Sequence, residues 1–263
     1  MQLVFSGIVP HTPLLIESIS KEKKDYLQKS HAAISELEQS LYVSKPDVLI
    51  ILSLHEGRYD NAFTINTQPE FLATFEQFGD LSTKKIWKGA THLGATIAHS
   101  DTPNTLPIQL VSESKLDYGT AVPLILLTQH LQNIKILPIG YSHLSPKEHF
   151  DFGSLIRERL AESNKRVAII ASGDLAHTLS PASPLGYHED GQKFDTSIIE
   201  MLQSGNTAGI LNLDPAIIEN AKGDIYKPLL ILLGLLQDMR FNFKNLSYEA
   251  PFGIGYLVGQ FEF

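Results

Sequence analysis

Val48-Leu49-Ile50-Ile51-Leu52 is an unbroken aliphatic run. A strand with one wet face alternates apolar and polar residues, so a strand without alternation must be covered on both faces. The same signature recurs at Ile134 to Ile139 and at Val167-Ala168-Ile169-Ile170-Ala171, and Leu3 to Val9 reads as a further buried strand. Segments with apolar residues at helical spacing lie between these runs. Lys21 to Val43 puts Leu27, Ile34, Leu37 and Leu41 on one face. Further helical patterns fall near Thr91 to His99, Val122 to Leu131, His149 to Leu160, Phe194 to Leu202 and Ile225 to Leu236. After Asn242 the pattern becomes strand-like, ending in Gly253-Ile254-Gly255-Tyr256-Leu257-Val258-Gly259. Strand–helix alternation with doubly covered strands implies an α/β fold, a β-sheet sandwiched between helix layers. The terminal strand pair makes that sheet mixed rather than wholly parallel. No linker, low-complexity tract or internal repeat interrupts the pattern, so residues 1–263 read as a single domain.

Composition narrows the function classes. The 263 residues are 43% hydrophobic and 19% charged, too apolar for a disordered chain. The 21 Lys+Arg against 29 Asp+Glu give a net charge of -8, and the densest basic cluster is Lys21-Glu22-Lys23-Lys24. A nucleic-acid binder needs a basic face to displace counterions, so that class is excluded. The absence of cysteine removes disulfides, Cys-zinc sites, iron–sulfur clusters and thiol nucleophiles together. Met1-Gln2-Leu3-Val4-Phe5 lacks the basic region of a signal peptide, and Pro228 to Leu236 is far too short to span a membrane. A cytoplasmic protein with no membrane partner is the expectation.

The histidines carry the chemical signal. His11 follows the first strand, His55 the Val48 to Leu54 run, His143 the Ile134 to Ile139 run, and His177 the Val167 to Ala171 run, with Asp174 beside it. Ligands of open α/β sheets bind just beyond the carboxyl ends of strands, where loops converge. Histidines at several such ends can therefore meet although they are distant in sequence. His31, His99, His130 and His149 lie within or near helices and read as structural. Two neutral imidazoles and one carboxylate on one side of a metal leave its other side open, the arrangement of non-haem Fe(II) oxygenases. A zinc hydrolase uses the same ligand types. Asp224, at the start of the Ile225 to Leu236 helix, is one candidate for the carboxylate, because helix-terminal amides hold anions; Glu249 in the late strand is the other.

Other motifs fail on context. Gly253-x-Gly255-x-x-x-Gly259 has no helix after it and cannot cradle a phosphate; its glycines fit close packing or a bulge. No P-loop, His-Glu-x-x-His pair or Gly-x-Ser-x-Gly elbow occurs.

Four blocks in register then give a more specific signal. Gly7-Ile8-Val9-Pro10-His11-Thr12-Pro13-Leu14-Leu15, Ser53-Leu54-His55-Glu56-Gly57, Leu116-Asp117-Tyr118-Gly119-Thr120-Ala121-Val122-Pro123-Leu124 and Ala171-Ser172-Gly173-Asp174-Leu175-Ala176-His177 resemble the class III extradiol ring-cleavage dioxygenase superfamily. The nearest likeness is to its Memo-like branch (AmmeMemoRadiSam system protein B). The resemblance implies His11 and His55 as metal ligands, His177 as the acid/base, and Asp174 as its acidic companion. It puts the third ligand just before a helix, the place that Gly223-Asp224-Ile225 occupies here, which favours Asp224. Aspartate departs from the glutamate, histidine or cysteine found there in the superfamily. Tyr118 is a second departure, since the block usually carries histidine; it keeps a hydroxyl but cannot become a cation near neutral pH. The implied activity is an Fe(II)-dependent dioxygenase that takes a small catechol-like aromatic substrate and O2, with Zn(II) or copper as the alternative ions. A Memo-like metal-binding protein with a redox or partner-binding role and no ring cleavage is the rival reading. Either is compatible with a homo-oligomer.

Overall fold

A computed structural model describes residues 2–53, 59–99, 106–161 and 163–263. His55 and its neighbours 54–58 lie outside the described residues, so the expectation for His55 is not addressed by them. In chain order the elements are β1 (Gln2–Val9), α1 (Glu17–Ser20), α2 (Gln28–Ser44), β2 (Val48–Ser53), β3 (Phe63–Asn66), β4 (Glu70–Phe75), β5 (Asp80–Gly89), α3 (Thr91–Ala98), β6 (Ile108–Val111) and α4 (Tyr118–Leu127). There follow β7 (Lys135–Gly140), α5 (Pro146–Ala161), β8 (Arg166–Ser172), α6 (Glu189–Gln203), α7 (Thr207–Leu211), α8 (Pro215–Ala221), α9 (Tyr226–Leu235), β9 (Asn242–Glu249) and β10 (Tyr256–Glu262).

The described strands form one mixed sheet in the order β4-β5-β7-β2-β8-β1-β10-β9, with β3 paired to β7 off this path and β6 paired to β3. The aliphatic runs are its parallel centre: β7, β2, β8 and β1 are parallel neighbours. β10 and β9 close one side in antiparallel fashion, which makes the sheet mixed. Every residue of β2 is buried, as a strand without alternation requires. Alternate residues feed two cores. Ile8, Ile50, Leu52, Leu137 and Ile169 pack against α3, α5, α6 and α9, while Val9, Leu49, Ile51, Ile136 and Ile170 pack against α2 and α4. No helix among the described residues is long and apolar enough to cross a membrane.

Two helices differ from their sequence reading. Lys21–Leu27 is 3-10 helix, and the α-helix starts only at Gln28. Leu27 is buried while the charged residues around it that are described lie exposed, so little apolar burial pays for a regular first turn. α4 begins at Tyr118 rather than Val122, because Asp117 caps it by accepting the Thr120 N–H at 2.8 Å. That earlier start puts Pro123 inside the helix.

Register fixes where the loops emerge. Val9 pairs with Ser172, Leu52 with Ala171 and Ser53 with Gly140, so β1, β8, β2 and β7 end along one edge. The residues that follow them share that edge.

Candidate metal and acid–base site

Beyond that edge the structure brings His11, Asp174, His177 and Asp224 together. His11 leaves β1 and is 2% exposed. Its Nε2 lies 3.0 Å from Asp224 Oδ2, and its backbone N–H donates to Asp174 Oδ1 at 3.0 Å. Asp224 stands just ahead of α9; its Oδ1 accepts the Asp174 N–H at 2.7 Å, while the Asp174 carbonyl accepts the Asp224 and Ile225 N–H groups. The turn after β8 and the start of α9 are thus cross-bonded in both directions. Gly173 lies at this junction, and a Cβ there would come within 2.7 Å of the Ile225 Cα, so only glycine allows the approach. His177 Nε2 faces Asp174 Oδ2 at 3.9 Å, too far for a hydrogen bond. That nitrogen is buried and has no hydrogen-bond partner among the described residues.

The helix α4 presses on His11 from the opposite side. Residue 123 is proline and has no N–H to give the Gly119 carbonyl four residues earlier. Ser172 Oγ donates to that carbonyl instead, at 2.5 Å. Having spent its proton, the hydroxyl turns its lone pairs to His11 Nδ1, 3.4 Å away. This arrangement favours the tautomer with hydrogen on Nδ1 and a lone pair on Nε2. Gly119 sits close against both side chains: a Cβ would lie 3.3 Å from His11 Nδ1 and 3.1 Å from Asp117 Oδ1, tight enough to make them shift. Tyr118 stacks edge-on to His11 with ring centroids 5.4 Å apart, and Phe78 stacks edge-on to Tyr118 at 5.7 Å. Ser53, the last residue of β2, meets Thr120 Oγ1 of the same helix at 2.6 Å.

The electrostatics are those of a buried acidic pocket. Burial opposes charge on His11, but the carboxylates of Asp224, Asp174 and Asp117 outweigh it and lift the imidazole to about 9. Burial and the neighbouring Asp224 charge raise Asp174. Burial acts in the same sense on Asp224, yet the charge and hydrogen bond of His11 hold it below the usual carboxylate range. A nitrogen lone pair and a carboxylate oxygen at 3.0 Å repel unless a cation lies between them, either a proton or a metal ion. Two adjacent ligands with bonds of about 2.1 Å meeting near a right angle are about 3 Å apart, so the pair also fits a shared ion. Among the described residues no group of three His, Asp or Glu side chains is arranged to hold a metal. The fit therefore extends to the His11–Asp224 pair.

The remaining expectations separate cleanly. Glu249 accepts both the N–H and the hydroxyl of Ser30, at 2.8 and 2.6 Å, so its carboxylate is committed to the start of α2 and not to this pocket. His143 lies exposed beside Asp60 at 3.6 Å. His149 is fully buried between the Ser145 and Ser142 carbonyls. Sequence reasoning passed over Ser172 and Pro123, although both stand in the quoted blocks. The signal was a helix pattern with an internal proline, whose orphaned carbonyl needs an outside donor.

The chain belongs to the family described as the catalytic LigB subunit of aromatic ring-opening dioxygenase, which matches residues 7–259. It is thus a member of the class III ring-cleavage dioxygenase superfamily. It is similar to Protein CA_C1420 of Clostridium acetobutylicum, 27% identical across 97% of this chain and 56% of that protein. The chain thus spans about half the length of that curated relative. Its fold is similar to that of an uncharacterized protein, JW3007, from Escherichia coli K12, with a TM-score of 0.69 at 15% identity, covering 98% of this chain and 99% of the other.

Proposed function

We propose that this chain is a non-haem Fe(II)-dependent extradiol-type dioxygenase that opens a catechol-like ring with O2. The observation that carries this reading is the His11–Asp224 pair at 3.0 Å, with the Nε2 of His177, which has no partner among the described residues, alongside Asp174. His11 and Asp224 would hold the ion, with His55 as the further ligand that the family resemblance supplies. Bound Fe(II) would provide the centre at which a catechol and O2 meet and the electron that lets O2 react with a closed-shell ring.

The protein's own residues handle protons and geometry. Asp224 is held by the Asp174 N–H, and His11 by Ser172, so both donors are oriented before any ion arrives. His177 would take a phenolic proton through Nε2 and return it to the oxygen of the opening ring, an exchange that suits an imidazole near neutral pH. Asp174 Oδ2 faces that nitrogen at 3.9 Å and closes the far side of the ring's surroundings. Tyr118, edge-on to His11 and itself flanked by Phe78, supplies aromatic surface against which a flat substrate would pack. Both oxygen atoms of O2 enter the ring-opened product.

Tyr118 favours a second reading, a Memo-like metal-binding protein without ring cleavage, because a phenol at this position cannot supply positive charge. Anaerobic loading with Fe(II), followed by O2 uptake across a panel of substituted catechols, tests the pair. Uptake that disappears in His177→Ala while metal stays bound supports the dioxygenase. Tight Fe(II) binding, lost in Asp224→Ala, with no uptake for any catechol moves the assignment to the second reading. Unchanged metal binding in both His11→Ala and Asp224→Ala refutes the site itself.

A further inference from the structure

The loop that carries Asp174 and His177 is fixed by an unbroken series of amide hydrogen bonds. Gly173 donates to the Val9 carbonyl, Asp174 to Asp224, Leu175 to the Gly255 carbonyl and His177 to the Ala221 carbonyl. The Ala176 N–H alone among these five goes to a side chain outside the pocket, Asp195 Oδ1 on α6, at 2.8 Å. Asp195 is completely buried, and its Oδ2 accepts the Tyr248 hydroxyl of β9 at 2.6 Å. Gly255, which also donates its N–H to the Ala176 carbonyl, leaves room for this carboxylate: a Cβ there would fall 2.1 Å from Asp195 Oδ2. Three separate elements therefore converge on one carboxylate directly behind the loop.

We infer that Asp195 is a positioning residue for His177, acting through the Ala176 amide, with Tyr248 as the donor that orients it. The inference rests on the dioxygenase reading for its catalytic consequence, though not for the loop geometry. Burying an ionisable group is costly, and desolvation lifts this carboxyl to about 6. A purely structural acceptor could be a neutral amide or carbonyl. A carboxylate makes the stronger bond to a backbone N–H, and it does so one residue before the imidazole whose placement decides proton transfer. Asp195 touches neither His11 nor Asp224 in this network, so its removal should leave the metal donors in place.

Full-length Asp195→Ala, Asp195→Asn and Tyr248→Phe test this in two ways. The first is steady-state O2 uptake by the Fe(II)-loaded protein with the best catechol of the panel. Asp195→Ala should lower kcat by about 10–100-fold, the usual cost of misplacing a catalytic group by about an ångström, while KM and Fe(II) affinity stay within about threefold. Asp195→Asn keeps an acceptor for Ala176 without the charge and should recover only part of that loss; Tyr248→Phe should fall between Asp195→Ala and wild type. The second is amide hydrogen exchange in the metal-free protein, which requires no turnover. Exchange at Ala176 should accelerate about tenfold in Asp195→Ala, with Gly173 unchanged. Acceleration confined to Ala176 in a protein that cleaves no catechol preserves the loop geometry and sinks only the dioxygenase reading. Wild-type kcat in Asp195→Ala overturns the inference. So does parallel loss of Fe(II) affinity and kcat, or unchanged Ala176 exchange. Should Asp195→Ala not fold, Tyr248→Phe decides: an unchanged kcat with unchanged Ala176 exchange overturns it equally.

Discussion

Ser172 and Pro123 should be energetically coupled through the Gly119 carbonyl. Pro123 leaves that carbonyl without its helical donor, and Ser172 Oγ replaces the donor at 2.5 Å in a fully buried setting. Ser172→Ala therefore strands a buried acceptor and removes the hydroxyl facing His11 Nδ1. A buried group left unpaired costs about 1–3 kcal/mol, and the lost hydrogen bond is included in that range, so Ser172→Ala should destabilise by about 2 kcal/mol. In a Pro123→Ala background the residue-123 amide regains its proton and can close the ordinary bond to Gly119. There Ser172→Ala should cost only about 0.5–1 kcal/mol, a coupling of at least about 1 kcal/mol. Urea unfolding of the wild type, both single variants and the double variant measures this. Additivity within about 0.3 kcal/mol would refute the reasoning, because distant, independent substitutions behave that way.

Two further outcomes follow from packing and burial. At the crossing of α5 and α9, a Cβ on Gly234 would lie 1.9 Å from the Phe150 carbonyl oxygen, and one on Gly153 1.9 Å from that of Ile231. Gly234→Ala must separate the helices by about 1.5 Å to restore ordinary contact, and overpacking of this kind costs about 1–3 kcal/mol or more. Since α9 begins just after Asp224, the proposed Fe(II) affinity should drop with stability; an unfolding midpoint equal to wild type would contradict the close approach. His149 is held down to about 4, by burial first and by the Lys227 charge, against 6.5 for a free imidazole. Above pH 6.5 it contributes nothing, since both states are neutral. As pH falls from 6.5 towards 4 the unfolded chain takes up a proton that the native state refuses, removing up to about 3 kcal/mol. His149→Gln should lose about 2 kcal/mol less than wild type between pH 7 and 4.5 in urea unfolding, and equal losses would show that this ring is not the source.

The central architecture was legible in the sequence because doubly buried strands leave no alternation to misread. β2, β7 and β8 fall on the three aliphatic runs, and His11 and Asp174 stand where their strands end. The outer hairpin was not recognised, although Phe71, Ala73 and Phe75 alternate with partly or fully exposed neighbours along β4. Its period is short and mixed with polar residues, which gives a weak signal in a single sequence. Linear order favoured Asp224 at a helix start but left Glu249 open as a competing carboxylate near the end of the chain. Their difference is a matter of partners: Ser30 engages one, His11 the other.

Residue chemistry and periodicity determined the layers, the edge where the loops emerge, and the supply of imidazoles and carboxylates, because these depend on local burial and on nearest neighbours in the chain. Tertiary structure alone decided which groups meet, since pairing requires strand order and register. Those bring Val9 beside Ser172 and, through the backbone, His11 beside Asp174 and Asp224. It also assigned the orphaned carbonyl of a proline-bearing helix to a serine fifty-three residues away. A hydrogen bond is short-ranged, and distance in space is what sequence does not record.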